Sequence, residues 1–159
     1  MPLIAILVLI TALPVLAQER TVKREDFWIC PGAEVAMFSI SNMAYGGGLT
    51  LGYGKAFSIG LKAAWFFDGS REVDSLEINL LLRWYFMGAS SGPFLQLNGG
   101  PVFFAQKESM TMPSELGVVS AGLSIGWRFL LGRFWFIEGA IRGGYPFIAG
   151  AALSAGCHF

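Results

Sequence analysis

Residues 76–86 read LEINLLLRWYF, and at a period of two they sort into faces of opposite character. Leu76, Ile78, Leu80, Leu82, Trp84 and Phe86 fall on one face; Glu77, Asn79, Leu81, Arg83 and Tyr85 fall on the other. One side is hydrocarbon ending in aromatics, and the other mixes charge, amide and phenol. A strand carries both when lipid lies on one side and a small polar interior on the other.

The same alternation recurs along the chain. Strands are expected at about 33–41, 45–54, 56–67, 75–87, 93–104, 117–130, 133–144 and 148–159. Eight such runs predict an all-β fold, a closed antiparallel up-and-down transmembrane barrel. In the third, Phe57, Ile59, Leu61, Ala63, Trp65 and Phe67 face out, leaving Ser58, Gly60, Lys62 and Ala64 inside. The fifth places Gln96 and Asn98 inside. In the sixth Ser120, Gly122, Ser124, Gly126 and Arg128 face in, and in the seventh Glu138 and Arg142 do.

The charges inside strands therefore gather on one surface: Lys62, Glu77, Arg83, Arg128, Glu138 and Arg142. Glu34 joins them on a first strand whose period is ambiguous. Eight strands enclose a space just wide enough for side chains to fill, and buried charges there must pair. Height along the strands predicts Glu77 beside Arg142, with Glu138 lower down beside Arg83 and Arg128.

Composition agrees with lipid contact. The mean hydropathy is +0.57 and only 14% of residues are charged, against about 25% in soluble domains. The formal net charge is zero, and the basic residues are spread along inward faces, which excludes a nucleic-acid partner. A soluble ligand carrier would need the reverse orientation, apolar inside and polar outside. Helical spans fit poorly: residues 143–159 are free of formal charge but short and broken by Pro146.

The 159 residues imply one domain. Residues 1–17 form an apolar block ending in Val15-Leu16-Ala17, expected to be a cleavable secretory signal. A leader is expected over 18–31 and the barrel over 32–159. Connections are compact at one end of the strands, as at Gly54-Lys55 and Leu131-Gly132-Arg133. At the other end two are longer and polar, DGSREVDS and QKESMTMPSEL. With the N-terminus in the periplasm, the compact turns are periplasmic.

Aromatics fall near both edges. Tyr53, Phe57, Trp84, Tyr85, Phe86, Trp127, Phe129, Phe134, Trp135 and Phe159 lie toward the periplasmic edge. Phe38, Trp65, Phe66, Phe67, Phe103, Phe104, Tyr145 and Phe147 lie toward the outer one. The expectation is two interfacial girdles.

Catalytic chemistry has little support. The single histidine, His158, is the penultimate residue, and Ser154 lies four residues away on the same face, about 13 Å along a strand. No Cys/His cluster has metal spacing, and no cofactor is expected. Gly46, Gly47, Gly48, Gly52 and Gly54 lie in an alternating strand with no following helix, so they permit bending and close packing rather than form a phosphate loop. Cys30 and Cys157 sit at the two ends of the barrel sequence. A disulfide closing the seam between first and last strands is one reading, and unpaired thiols are the other.

With the signal segment, the eight runs and the girdles assembled, residues 30–159 resemble small bacterial outer-membrane barrels of the OmpA, OmpX and OmpW type. The final run, IAGAALSAGCHF, looks like their closing strand, whose terminal aromatic, here Phe159, is read by the barrel-insertion machinery. The resemblance implies a bacterial outer-membrane location, with membrane lipid and that machinery as partners; the oligomeric state is left open, with a monomer the expectation. It carries over no active-site residues. The expected function is non-enzymatic, a structural or surface-interaction role around a charged, side-chain-filled lumen. A narrow channel or lateral transporter for small solutes is the alternative, and a lipid-modifying barrel enzyme is third, disfavoured by the missing triad.

Overall fold

The computed structural model describes residues 27–39, 42–68, 73–106 and 118–159. They form eight strands: β1 (Phe27–Ser39), β2 (Asn42–Gly54), β3 (Phe57–Asp68), β4 (Val73–Tyr85), β5 (Gly92–Gln106), β6 (Val118–Leu131), β7 (Trp135–Tyr145) and β8 (Ala149–His158). Each pairs antiparallel with its sequence neighbours, and β1 pairs with β8, closing the barrel. The strands are 10 to 15 residues long, enough to cross a hydrocarbon core that a tilted strand spans in about 9–11.

The expected strands fall on the observed ones, with one correction. Among the described residues β1 already runs from Phe27, not from residue 32, so the leader expected over 18–31 gives up its last five residues to β1. The alternation runs through them: Trp28 and Cys30 are buried inside, while Phe27 is 42% exposed on the wall. Pro31 has no N–H to donate, and the β1–β8 ladder steps past it, from Ile29–Cys157 to Gly32–Ser154. The expected signal segment and the rest of the leader lie outside the described residues.

The pleat sends alternate side chains to lumen and wall. Leu61, Leu80, Leu97, Ile125, Ile141 and Leu153 are each half exposed or more on the outer surface. Such a wall is stable only against lipid. Inside, space is scarce, and four buried aromatics each lie directly opposite a glycine on the neighbouring strand: Trp28–Gly52, Phe66–Gly46, Phe94–Gly126 and Phe136–Gly156. A Cβ at Gly126 would come within 2.5 Å of the Phe94 ring, and one at Gly52 would strike the Trp28 indole. The ring occupies the room the missing side chain leaves.

The lumen as candidate functional site

Four charged residues from four strands meet in the middle of the lumen. Lys62 on β3 donates from Nζ to Glu34 Oε2 on β1 at 2.7 Å and stands 3.8 Å from Glu77 on β4. Arg142 on β7 donates from Nη1 to Glu77 Oε2 at 2.7 Å and stands 3.6 Å from Glu34. Each carboxylate thus has two cations within reach, and each cation has two carboxylates. Asn79 donates from Nδ2 to Glu77 Oε1 at 2.8 Å, and Ser120 donates to Asn79 Oδ1 at 2.7 Å. The structure brings Glu77 and Arg142 together as the strand heights imply, and it supplies Glu34 with Lys62, a pair not assigned from sequence.

A second tier lies nearer the chain ends. Glu138 and Arg128 are opposite each other in the β6–β7 ladder, and Arg128 donates from Nε to Glu138 Oε2 at 2.8 Å. Arg83 grips the same carboxylate with both terminal nitrogens, Nη1 to Oε2 at 2.9 Å and Nη2 to Oε1 at 3.2 Å. It also donates from Nε to Gln96 Oε1 at 2.8 Å and from Nη1 to the Tyr85 hydroxyl at 3.0 Å. Rings cover the remaining guanidinium faces: Arg83 lies 4.1 Å over Phe94, and Arg128 lies 3.8 Å over Phe136 and 4.2 Å over Trp28. Such contacts gain strength away from water. Gln96 donates to Asn98 Oδ1 at 2.9 Å, carrying the polar network toward the upper tier.

Apolar clusters lie beyond both tiers. Toward the rim opposite the chain ends, Ala36, Ala44, Ala64, Phe66, Val102 and Phe147 are buried together, with Phe38 and Phe104 against them. Phe147 reaches back from the β7–β8 turn, its ring 4.5 Å from Phe38 and 5.1 Å from Phe66. At the rim carrying the chain ends, Trp28, Cys30 and Phe136 cluster with Leu130, and His158 lies 5.0 Å from the Phe136 ring.

These clusters correct the expected girdles. Phe38, Phe66, Phe104, Phe147 and Tyr85 belong to the interior: Phe38, Phe66 and Tyr85 share the inward parity of Glu34, Lys62 and Arg83 on their strands, Phe104 shares that of Gln96 on β5, and Phe147 packs inward from the β7–β8 turn. The lipid-facing girdles keep residues such as Phe57, Trp84, Trp127, Trp135 and Phe159 at one edge and Trp65, Phe67 and Tyr145 at the other. Trp28, Phe94 and Phe136 are lumen residues that sequence reasoning missed. Alternation within their strands was the available signal: Phe94 shares the parity of Gln96 and Phe136 that of Glu138, while Trp28 precedes the first expected strand.

Cys30 and Cys157 are both free, which corrects the seam disulfide. Cys157 pairs across from Ile29 and shares its outward face, while Cys30, one residue on, points inward. Adjacent strands bring the backbones together, but the one-residue offset sets the thiols on opposite sides of the wall. His158 is buried at the inner rim, and Ser154 stands opposite Glu138 in the β7–β8 ladder. Phe159 donates its backbone N–H to the Phe27 carbonyl at 2.9 Å, and their rings are 6.1 Å apart.

A small recess between the upper tier and Phe147 is lined by Glu77, Asn79, Asn98, Ser120 and Arg142 and measures about 10 Å³, room for about one water molecule. Among the described residues, no group of three or more His, Cys, Asp and Glu side chains is placed to hold a metal.

An apolar wall, interfacial aromatics and an interior packed with paired charges define an eight-stranded transmembrane β-barrel of the small outer-membrane type. No family model matches the chain, and no curated protein matches it. Among solved structures, it is similar to Neisserial surface protein A, with a TM-score of 0.64 at 14% identity over 83% of this chain and 95% of that one. The N-terminal β-barrel domain of Pseudomonas aeruginosa OprF gives a TM-score of 0.60 at 15% identity, covering 86% of this chain and all of the domain. The outer membrane protein OprG from Pseudomonas aeruginosa gives 0.59 at 15% identity, covering 86% of this chain and 97% of that one. At such identities the likeness is one of fold.

Proposed function

We propose that this chain is an integral protein of the bacterial outer membrane whose barrel is closed, and that it serves the envelope as a structural or surface-interaction element rather than as a pore or an enzyme. The observation that carries the reading is the sequence of layers along the lumen. Two tiers of paired charges lie between an aromatic cluster at each rim, and the recess among them has room for about one water. A solute crossing this interior would have to displace both clusters and break buried ion pairs, whose disruption costs several kcal/mol each.

The test is reconstitution of the purified barrel in planar bilayers and in liposomes, beside an open porin as control. No current steps and no swelling with small polar or apolar solutes are expected. Solute-dependent swelling or unitary currents at the wild-type sequence would overturn the closed reading.

A further inference from the structure

The two tiers of the lumen differ in charge. The upper tier is balanced, with Lys62 and Arg142 against Glu34 and Glu77. In the lower tier Arg83 and Arg128 share one carboxylate, Glu138, leaving one positive charge in excess. The Arg128 side chain is fully buried at 0% exposure, and Arg83 is nearly so at 4%. Around them stand Tyr85, Gln96, Cys30 and the rings of Trp28, Phe94 and Phe136; no second carboxylate among the described residues lies within salt-bridge distance of either guanidinium. Ring faces attract a cation but do not neutralise it.

We propose that this excess charge makes the inner half of the lumen a barrier to cations, with Arg128 the residue that sets it. Any path opened through the barrel then passes small anions in preference to cations. The narrow interior brings a permeating ion close to the guanidinium, where water screens the interaction little. Both guanidiniums hold Glu138, but Arg83 also donates to Gln96 and Tyr85, whereas the terminal nitrogens of Arg128 have no hydrogen-bond acceptor, so Arg128 is the residue whose charge is least compensated. The proposal rests on the closed-barrel reading only for the form of protein in which it is measured.

Two measurements test it. The first is the reversal potential across a planar bilayer under a KCl gradient, using the W28A/F147A variant, which removes one ring from each apolar cluster. A chloride preference is expected, and adding Arg128→Met should abolish it; a potassium preference overturns the proposal. If the wild type itself conducts, the closed reading fails, and its reversal potential then decides the charge proposal separately. The second needs no conduction and decides if the opened variant stays silent. Glu138→Gln leaves two buried guanidiniums unopposed and should lower the folded-to-unfolded ratio in lipid at least about 100-fold. Adding Arg128→Met to Glu138→Gln should recover at least about tenfold of that loss. A double variant no more stable than Glu138→Gln overturns the proposal.

Discussion

Trp28 and Gly52 face each other across the β1–β2 ladder, and the indole lies where a side chain at residue 52 would stand. The large ring and the missing side chain are one packing unit, repeated at Phe66–Gly46, Phe94–Gly126 and Phe136–Gly156. An eight-stranded barrel has little interior to fill, and this alternation of large and small fills it without pushing strands apart.

Gly52→Ala should therefore destabilise the barrel by about 1–3 kcal/mol through overpacking. Gly139, where an added Cβ meets nothing within 4 Å, is the control, and Gly139→Ala should stay within about 0.5 kcal/mol of wild type. Urea unfolding in lipid vesicles reads both. Equal effects at the two positions would remove the packing argument.

Leu80 lies on the lipid-facing wall at 50% exposure, near the middle of β4. Arginine there should cost about 2–4 kcal/mol in a bilayer. Wild-type stability for Leu80→Arg would mean that the facing of β4 is wrong.

The five tryptophans divide between lumen and lipid. Trp28 is 1% exposed inside, whereas Trp65, Trp84 and Trp135 stand on the wall at 39%, 44% and 62%. In vesicles of brominated lipid, a variant retaining Trp28 alone should keep most of its fluorescence, and one retaining Trp84 alone should be strongly quenched. Strong quenching of Trp28 would place β1 the other way round.

The thiols should differ in the same manner. Thiol counting on the unreduced, unfolded protein should find two free groups. In the folded barrel a membrane-permeant maleimide should label Cys157 well before Cys30, which is buried at 2% exposure. A folded protein with no free thiol would restore the disulfide.

Much of this architecture was legible in the residues. LEINLLLRWYF announces a wall with lipid on one side, because facing follows from a period of two that each strand carries in its own order. That periodicity also directs Lys62, Glu77, Arg83, Arg128, Glu138 and Arg142 inward. It places eight strands close to where they lie, missing mainly the start of β1, whose residues 27–31 fall in the expected leader.

The sequence by itself determined the eight-stranded barrel, the facing of its charges and the lipid around it, since these depend on alternation within single strands. Only the tertiary structure decided the partners. Register and closure set Glu34 beside Lys62, gave Arg83 and Arg128 a single carboxylate, stacked Trp28 over Gly52 and parted Cys30 from Cys157. A one-residue shift between strands moves a side chain to the opposite face, and that shift is fixed only when all eight strands close into one ring.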